Sequence, residues 1–250
     1  DPAVKGTQNV LETANQVESV KRVVVTSSCA SIYGDAIDVA SAPNQILTEE
    51  VWNTSSRLDH QAYSFSKTEA EKAAWVIANG QERWKLVTIN PSFVIGPGVA
   101  GAQSSESFDL VTQLGDGTSR MGAPEFNIGC VDVRDVAEAH LRVGYIESAE
   151  GRHIVSKETK SFLQLGQILS AKYGDKYPFP KNNLPKFMVW LLGPMINKSL
   201  TREMVSKNIG HPWAADNSKS KAALGLEYGS VESALGEMFD QIIASGKLAK

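Results

Sequence analysis

Cysteine is scarce in this chain of 250 residues. There are two, Cys29 and Cys130, too few for a disulfide framework, and the pair fits a reducing cytoplasm where both stay thiols. Long apolar runs are missing as well. The longest, FMVWLLGPMI at 187–196, is about half of what a membrane span needs, so it reads as a buried or pocket-lining helix and no membrane partner is expected. No secretory signal opens the chain. Charge of one sign is not in excess: the formal net charge is −3 and no basic block stands out, which gives nucleic-acid binding no support. The four histidines, His60, His140, His153 and His211, share no metal-ligand spacing, so no metal site is expected. Internal repeats and low-complexity tracts are absent too.

What is present reads as alternating strand and helix. Pro2 suits the first turn of a helix that Asp1 can N-cap, and Val4, Val10, Leu11, Ala14 and Val17 recur at helical spacing. RVVVTSS, at 22–28, is a β-branched run of the kind that forms a buried parallel strand. Residues 29–58 carry no sustained period and read as a long loop with one helical turn near Glu49 to Trp52; a loop that long inside a domain is usually functional. YSFSKTEAEKAAWVIANG predicts an amphipathic helix closing at Gly80. KLVTINPSFVIGPG reads as a second buried strand broken at Pro91, followed by a helix and turn (FDLVTQLGDG), a strand (FNIGCVDV), a helix (RDVAEAHLRVGYIE) and a strand (GRHIVS). This order argues for parallel βαβ units whose ligands sit at the carboxyl ends of the strands. After Ser161, helical patterns cut by Pro178, Pro180, Pro185, Pro194 and Pro212 predict a separate, mainly helical lobe.

Chemistry concentrates at one helix start. Tyr63 and Lys67 lie four residues apart, on one helix face. A phenol's ordinary pKa of about 10 is too high for easy proton exchange at neutral pH, and a neighbouring ammonium lowers it towards general acid–base use. The pattern alone is weak: Tyr177 and Lys181 match it too, but YPFPK places Pro178 and Pro180 inside the match, where no regular helical turn forms. Ser27 and Ser28 end the RVVVTSS strand at the ligand edge. Ser27 reads as a strand terminator, and Ser28 as a hydroxyl able to hold a substrate oxygen. His60 precedes Tyr63 and is weighed as a lining residue, Cys29 as a small buried group, and Asp132 or Asp135 as a helix cap. Arg134 reads as a solvated charge. Phe187, Met188 and Trp190 read either as an apolar roof over a substrate or as core of the helical lobe.

Taken in order and spacing, VVVTSSCASIYGD, YSFSKTEAE, INPSFVIGPG and VDVRDVAEAH resemble the extended short-chain dehydrogenases/reductases, of the NAD-dependent epimerase/dehydratase superfamily. The likeness is closest to the dihydroflavonol reductase, cinnamoyl-CoA reductase and aldehyde/ketone reductase branch; it is specific from residue 1 to about 160 and looser beyond. The resemblance implies an α/β fold, a Rossmann-type doubly wound parallel sheet, with a smaller, mainly helical C-terminal lobe. It places a nucleotide-binding core at 1–158 and a substrate-binding lobe at 159–250. It also implies a catalytic set of Ser28, Tyr63 and Lys67, a nicotinamide contact along Pro91, Ser92, Phe93 and Val94 with Tyr63 and Lys67, and a cofactor that is NADP or NAD, the likeness to the reductase branch tilting towards NADP. The partner it implies is a small-molecule carbonyl substrate; the oligomeric state stays open, a homodimer paired through the opening helix and the Tyr63 helix being one arrangement.

Departures keep rivals in view. No G-x-x-G-x-x-G phosphate loop joins a strand to a helix, and IGPGVAG, at 95–101, lacks the following helix N-terminus that a pyrophosphate needs. Because Asp1 opens what reads as the middle of a domain, sequence ahead of it is expected. Sugar-nucleotide epimerases of the same fold place a Ser or Thr where this chain has Cys29, and a Tyr-Phe-Asn strand end where it has Asn90-Pro91-Ser92. An epimerase/dehydratase and a non-catalytic dinucleotide binder remain the alternatives to a carbonyl reductase.

Overall fold

A computed structural model of the chain describes residues 2–99 and 105–248. In chain order the elements are α1 (Pro2–Gln16), β1 (Arg22–Thr26), α2 (Ala62–Asn79), β2 (Lys85–Pro91), β3 (Phe93–Ile95), α3 (Glu106–Gly115), β4 (Ala123–Pro124), β5 (Asn127–Asp132), α4 (Val133–Tyr145), β6 (Gly151–Val155), β7 (Glu158–Ser161), α5 (Phe162–Tyr173), β8 (Asn183–Leu184), α6 (Lys186–Ile196), α7 (Arg202–Asn208), α8 (Ser218–Leu224) and α9 (Val231–Ala244). Pro2 is the first residue of α1, as expected; the N-cap assigned to Asp1, like residues 100 and 101 of IGPGVAG, lies outside the described residues. The α/β class with its parallel sheet is the fold that the sequence predicts.

The chain forms two units, each assembled from three segments. The first comprises 1–92, 135–156 and 214–227. Its sheet is wholly parallel in the order β1-β2-β6, with Val24 opposite Val87 and Ile89 opposite His153. β2 is buried along all but its first residue, as its β-branched, apolar run dictates; β1, expected to be buried, stands at the end of the strand order, paired with β2 alone, and is only half-buried, with Thr26 exposed. Helices α1 and α2 pack together, and Leu11, Ala74, Ala78, Trp84 and Leu86 form a core beside β1. The face that α2 buries consists of Ser64, Thr68, Glu71, Ala74 and Ala78; it is small and polar, where amphipathic patterning predicts a bulkier apolar stripe.

The loop at 29–58 is more ordered than its lack of period suggests. It contains three short 3-10 turns, Cys29–Ser31, Ala36–Ser41 and Pro43–Gln45, and near Glu49–Trp52 the chain makes a single hydrogen-bonded turn, the Val51 amide donating to the Thr48 carbonyl at 3.1 Å, without continuing into a helix. Side chains bonding to nearby backbone replace periodicity. Asp38 accepts from the amides of Gly34 and Asp35, while Asn53 donates to the Ala30 carbonyl and accepts from the amides of Ser55 and Ser56.

The second unit comprises 93–134, 157–213 and 228–250. Here β5 pairs parallel with β3 and antiparallel with β7, a strand that the sequence reading had not separated from its surroundings, and β4 pairs with β8. Its core joins Phe108, Val111, Leu114, Leu165, Leu169, Phe179, Leu235, Met238 and Phe239. The YPFPK segment is irregular, so Tyr177 and Lys181 share no helical face. The run 187–196 corrects its prediction. It forms α6, but only Val189 and Gly193 are buried, while Phe187, Leu191, Met195 and Ile196 are more than half exposed. Gly193 lets Leu200 approach closely, which seats one edge of α6 and leaves the rest in solvent. Among the described residues, no helix is long and apolar enough to cross a membrane.

His153 is fully buried in β6, and neither ring nitrogen makes a hydrogen bond of ordinary geometry among the described residues. Burial, with the nearby charge of Lys219 adding to it, pulls the imidazole from its ordinary 6.5 down to about 4. Above pH 6.5 folded and unfolded chains are both neutral at this site. Between pH 6.5 and 4 the unfolded chain takes up a proton that the folded chain refuses, so stability falls as pH falls. From pH 7 to pH 4 the wild type should lose about 3 kcal/mol more than a His153→Leu variant in urea unfolding; parallel acid slopes for the two proteins would contradict this.

Candidate active site

The candidate site lies at the carboxyl end of β1 in the first unit. The Ser27 amide continues the parallel ladder by donating to the Ile89 carbonyl at 2.8 Å. Ser28, half-buried and in extended backbone (φ −166°), then caps the Cys29–Ser31 turn, its Oγ accepting from the Ala30 amide at 3.1 Å. Helix α2 starts after Gln61, whose left-handed backbone (φ 57°) turns the chain into it. Just upstream, His60 and Asp35 are both buried, with His60 Nε2 2.7 Å from Asp35 Oδ2, and Gln61 donates to the other oxygen of Asp35 at 3.0 Å. His60 therefore fixes the entry to α2 and is no lining group of the site.

From that start Tyr63, Lys67 and Glu71 follow at helical spacing along one side of α2. Tyr63 is 54% exposed. Lys67 is partly buried, and its Nζ lies 3.3 Å from the Thr26 carbonyl at the end of β1. Burial pulls the ammonium below the ordinary lysine range, opposed by the charge of Glu71. Thr68 Oγ1 reaches the Ala30 carbonyl at 3.5 Å and Ser31 Oγ donates to Glu71 at 2.5 Å, so α2 is bonded to the turn that Ser28 opens. The structure thus brings Lys67 to the Thr26 carbonyl at the end of β1, two residues before Ser28, with Tyr63 one helical turn nearer the start of α2.

The segment Pro91–Val94 divides between the units. Pro91 ends β2 opposite Val155, and the Ser92 amide donates to the Val155 carbonyl at 3.1 Å. Ser92 Oγ is buried and has no hydrogen-bond partner among the described residues. Phe93 and Val94 belong to the second unit, where they pair with Cys130 and Val131. Arg134 is held by Asp132 at 2.7 Å and by Glu237 at 3.0 Å, and Asp132 accepts the Arg134 amide as the cap of α4. Cys29 is buried, donates to the Asn90 carbonyl at 3.2 Å and has its pKa raised by burial, so it behaves as packing and not as a nucleophile. Cys130 is likewise buried, and burial pushes its thiol up to about 12.

Sequence reasoning missed the centre of this arrangement. Glu71 is fully buried two turns below Tyr63 and accepts from Ser27 and Ser31, both at 2.5 Å, Asn90 at 2.9 Å, Thr88 at 3.1 Å and Arg152 at 2.7 Å. Arg152, on β6, also donates to the Glu49 and Val51 carbonyls and stacks 3.9 Å over the Trp52 ring. Burial alone would raise the Glu71 carboxyl, but the Arg152 charge and the hydrogen bonds from Arg152, Ser27 and Ser31 hold it below the ordinary range. The signal was there in part: GRHIVS sets an arginine inside a buried strand, which demands a buried partner.

Comparison with known proteins follows the same lines. Residues 2–155 match the model of the NAD dependent epimerase/dehydratase family. The chain is 34% identical over 250 residues to tetraketide alpha-pyrone reductase 1 of Arabidopsis thaliana, covering 98% of this chain and 65% of that protein. It is 29% identical to the NADPH-dependent methylglyoxal reductase GRE2 of Saccharomyces cerevisiae, covering 97% of this chain and 70% of that one. The solved structure of Gre2 from Candida albicans in complex with NADPH superposes with a TM-score of 0.71 at 28% identity, over 98% of this chain and 70% of that chain.

Removing one partner of a buried pair leaves the other charge stranded. Glu71→Gln should therefore destabilise the chain by about 3–5 kcal/mol in urea unfolding, whereas Glu71→Leu combined with Arg152→Met should cost less than either change alone. A Glu71→Gln variant within 1 kcal/mol of wild type, on the order of an exposed pair, would show that the pair does not organise the site.

Proposed function

Since this chain belongs to the NAD dependent epimerase/dehydratase family, we propose that it is an NADPH-dependent oxidoreductase that reduces the carbonyl of a small molecule to an alcohol. The observation that carries the reading is Lys67: a partly desolvated ammonium, one helical turn past Tyr63, directed at the carboxyl end of β1 where Ser28 opens its turn. Names of the relatives support the cofactor and the reaction class, a methylglyoxal reductase described as NADPH-dependent and a Candida albicans protein solved with NADPH.

The residues present fit the nicotinamide end of such a cofactor. The buried, unpartnered Ser92 hydroxyl offers a hydrogen bond on the segment Pro91, Ser92, Phe93 and Val94, and Lys67, at the end of β1, offers a cation for the ribose of the same group. When bound, NADPH would supply hydride to the carbonyl carbon. Tyr63 gives its phenolic proton to the carbonyl oxygen, Ser28 Oγ donates a hydrogen bond that holds the same oxygen, and Lys67 favours the phenolate that results. In this reading residues 1–158 serve the nucleotide and 159–250 the substrate. Two copies pair through α1 and α2, packed helices that present Val10 and Val76 to solvent.

Tyr63→Phe removes the transferable proton and little else. Turnover of NADPH with small aldehydes and ketones should fall at least a hundredfold, on the order of a lost general acid, with NADPH affinity within a few-fold of wild type by calorimetry. Near-normal turnover by the variant would end the assignment, as would wild-type interconversion of a sugar nucleotide with no net NADPH consumption.

A further inference from the structure

The exposed α6 helix has no role in the chemistry above. Phe187, Met188, Trp190, Leu191, Leu192, Met195 and Ile196 all keep more than a third of their surface in solvent. A helix apolar on nearly every side is normally buried or inside a membrane. With 11 residues, α6 spans only about 16 Å and cannot cross a hydrocarbon core of about 30 Å. Patches of this kind mark interaction surfaces.

Charge around the helix identifies what would cover it. Between Asp175 and Glu203 the chain carries Lys176, Lys181, Lys186, Lys198 and Arg202 and no carboxylate; Lys181 pairs with Asp175 at 3.4 Å, and Lys186, Lys198 and Arg202 are the cations that open α6 or follow it. Lys186 opens α6 and folds back onto the Ser206 and Ile209 carbonyls at the end of α7. Lys198 follows the end of α6 and is exposed, and Arg202 opens α7 with its guanidinium 4.5 Å over the Trp190 ring. An apolar helix with an aromatic ring, flanked by cations and too short to span, matches a segment lying in the headgroup layer of an anionic bilayer.

We propose that α6 and its basic flanks form a docking surface for anionic lipid membranes. Apolar side chains enter the interface, while Lys198 and Arg202 meet lipid headgroups. The surface stands apart from the redox chemistry, because no residue of α6 takes part in the proton, hydride or nicotinamide contacts proposed above.

The test is co-sedimentation of the full chain with vesicles of phosphatidylcholine alone or mixed with phosphatidylserine at 7:3. Wild type should pellet with the anionic vesicles, less with neutral ones, and release as salt is raised to 0.5 M. Leu191→Glu/Met195→Glu and Lys198→Glu/Arg202→Glu should each lower partitioning by about tenfold or more. All four side chains are exposed, so circular dichroism melts should match wild type and separate lost binding from lost folding. Absence of wild-type binding to anionic vesicles would overturn the proposal. So would variants that bind unchanged, or a wild-type dimer in solution that the Leu191→Glu/Met195→Glu pair splits without any lipid binding, since α6 would then be covered by a second copy.

Discussion

The geometry of the candidate site rests on one buried ion pair. Arg152 and Glu71 meet with 7% and 0% of their side chains exposed, and desolvating two such charges costs several kcal/mol per ion unless hydrogen bonds complete the pair. Here they do. Ser27 and Ser31 come from the end of β1 and the turn after it, Thr88 and Asn90 from β2, Arg152 from β6, and the Glu49 and Val51 carbonyls from the long loop. A helix that buried only Ala74, Ala78 and similar small groups could slide or rotate at little cost. With Glu71 inserted among these fixed donors it has one rotation and one depth. Such a pair adds little net stability compared with apolar packing, so its contribution is to fix where α2 lies.

That division explains which parts of the molecule were legible in the sequence. Strands β1, β2 and β6 stand out because a parallel strand reads as a short β-branched run, a property of adjacent residues, although β1, paired on one side only, is half-buried. Tyr63 and Lys67 stand out because helical spacing and a reference pKa are local facts. The second Tyr-x-x-x-Lys match fails on equally local grounds, Pro178 and Pro180. The Glu71 network was hidden because its members lie far apart in the chain, Ser27 and Arg152 among them, and each looks ordinary alone: a Glu in an Ala-rich helix, a Ser ending a strand. The Asp35–His60 pair was hidden for the same reason, separated by a loop without period.

The reading of 187–196 failed differently. Hydrophobicity says that a segment prefers to leave water, but not which surface receives it. Burial inside the fold was the natural choice for a run too short to span a bilayer. The deciding features are Gly193, which seats the helix against Leu200 by one narrow edge, and the run of five cations without a carboxylate. That cationic bias disappears in a net charge of −3 taken over the chain, so it shows only when charge is counted segment by segment.

Fold and chemistry also meet in the same carboxylate. Lys67 reaches the strand end only by giving up part of its hydration, which works against its charged form. An uncharged amine there could not stabilise a phenolate on Tyr63, the part proposed for it. Glu71, one turn further along α2, opposes that loss through its negative charge. Glu71 itself stays ionised against burial because Arg152 and two serine hydroxyls favour its charged form. The position of Lys67 is therefore tied to an arginine on another strand, and a change at Arg152 would reach the site by releasing the position of α2.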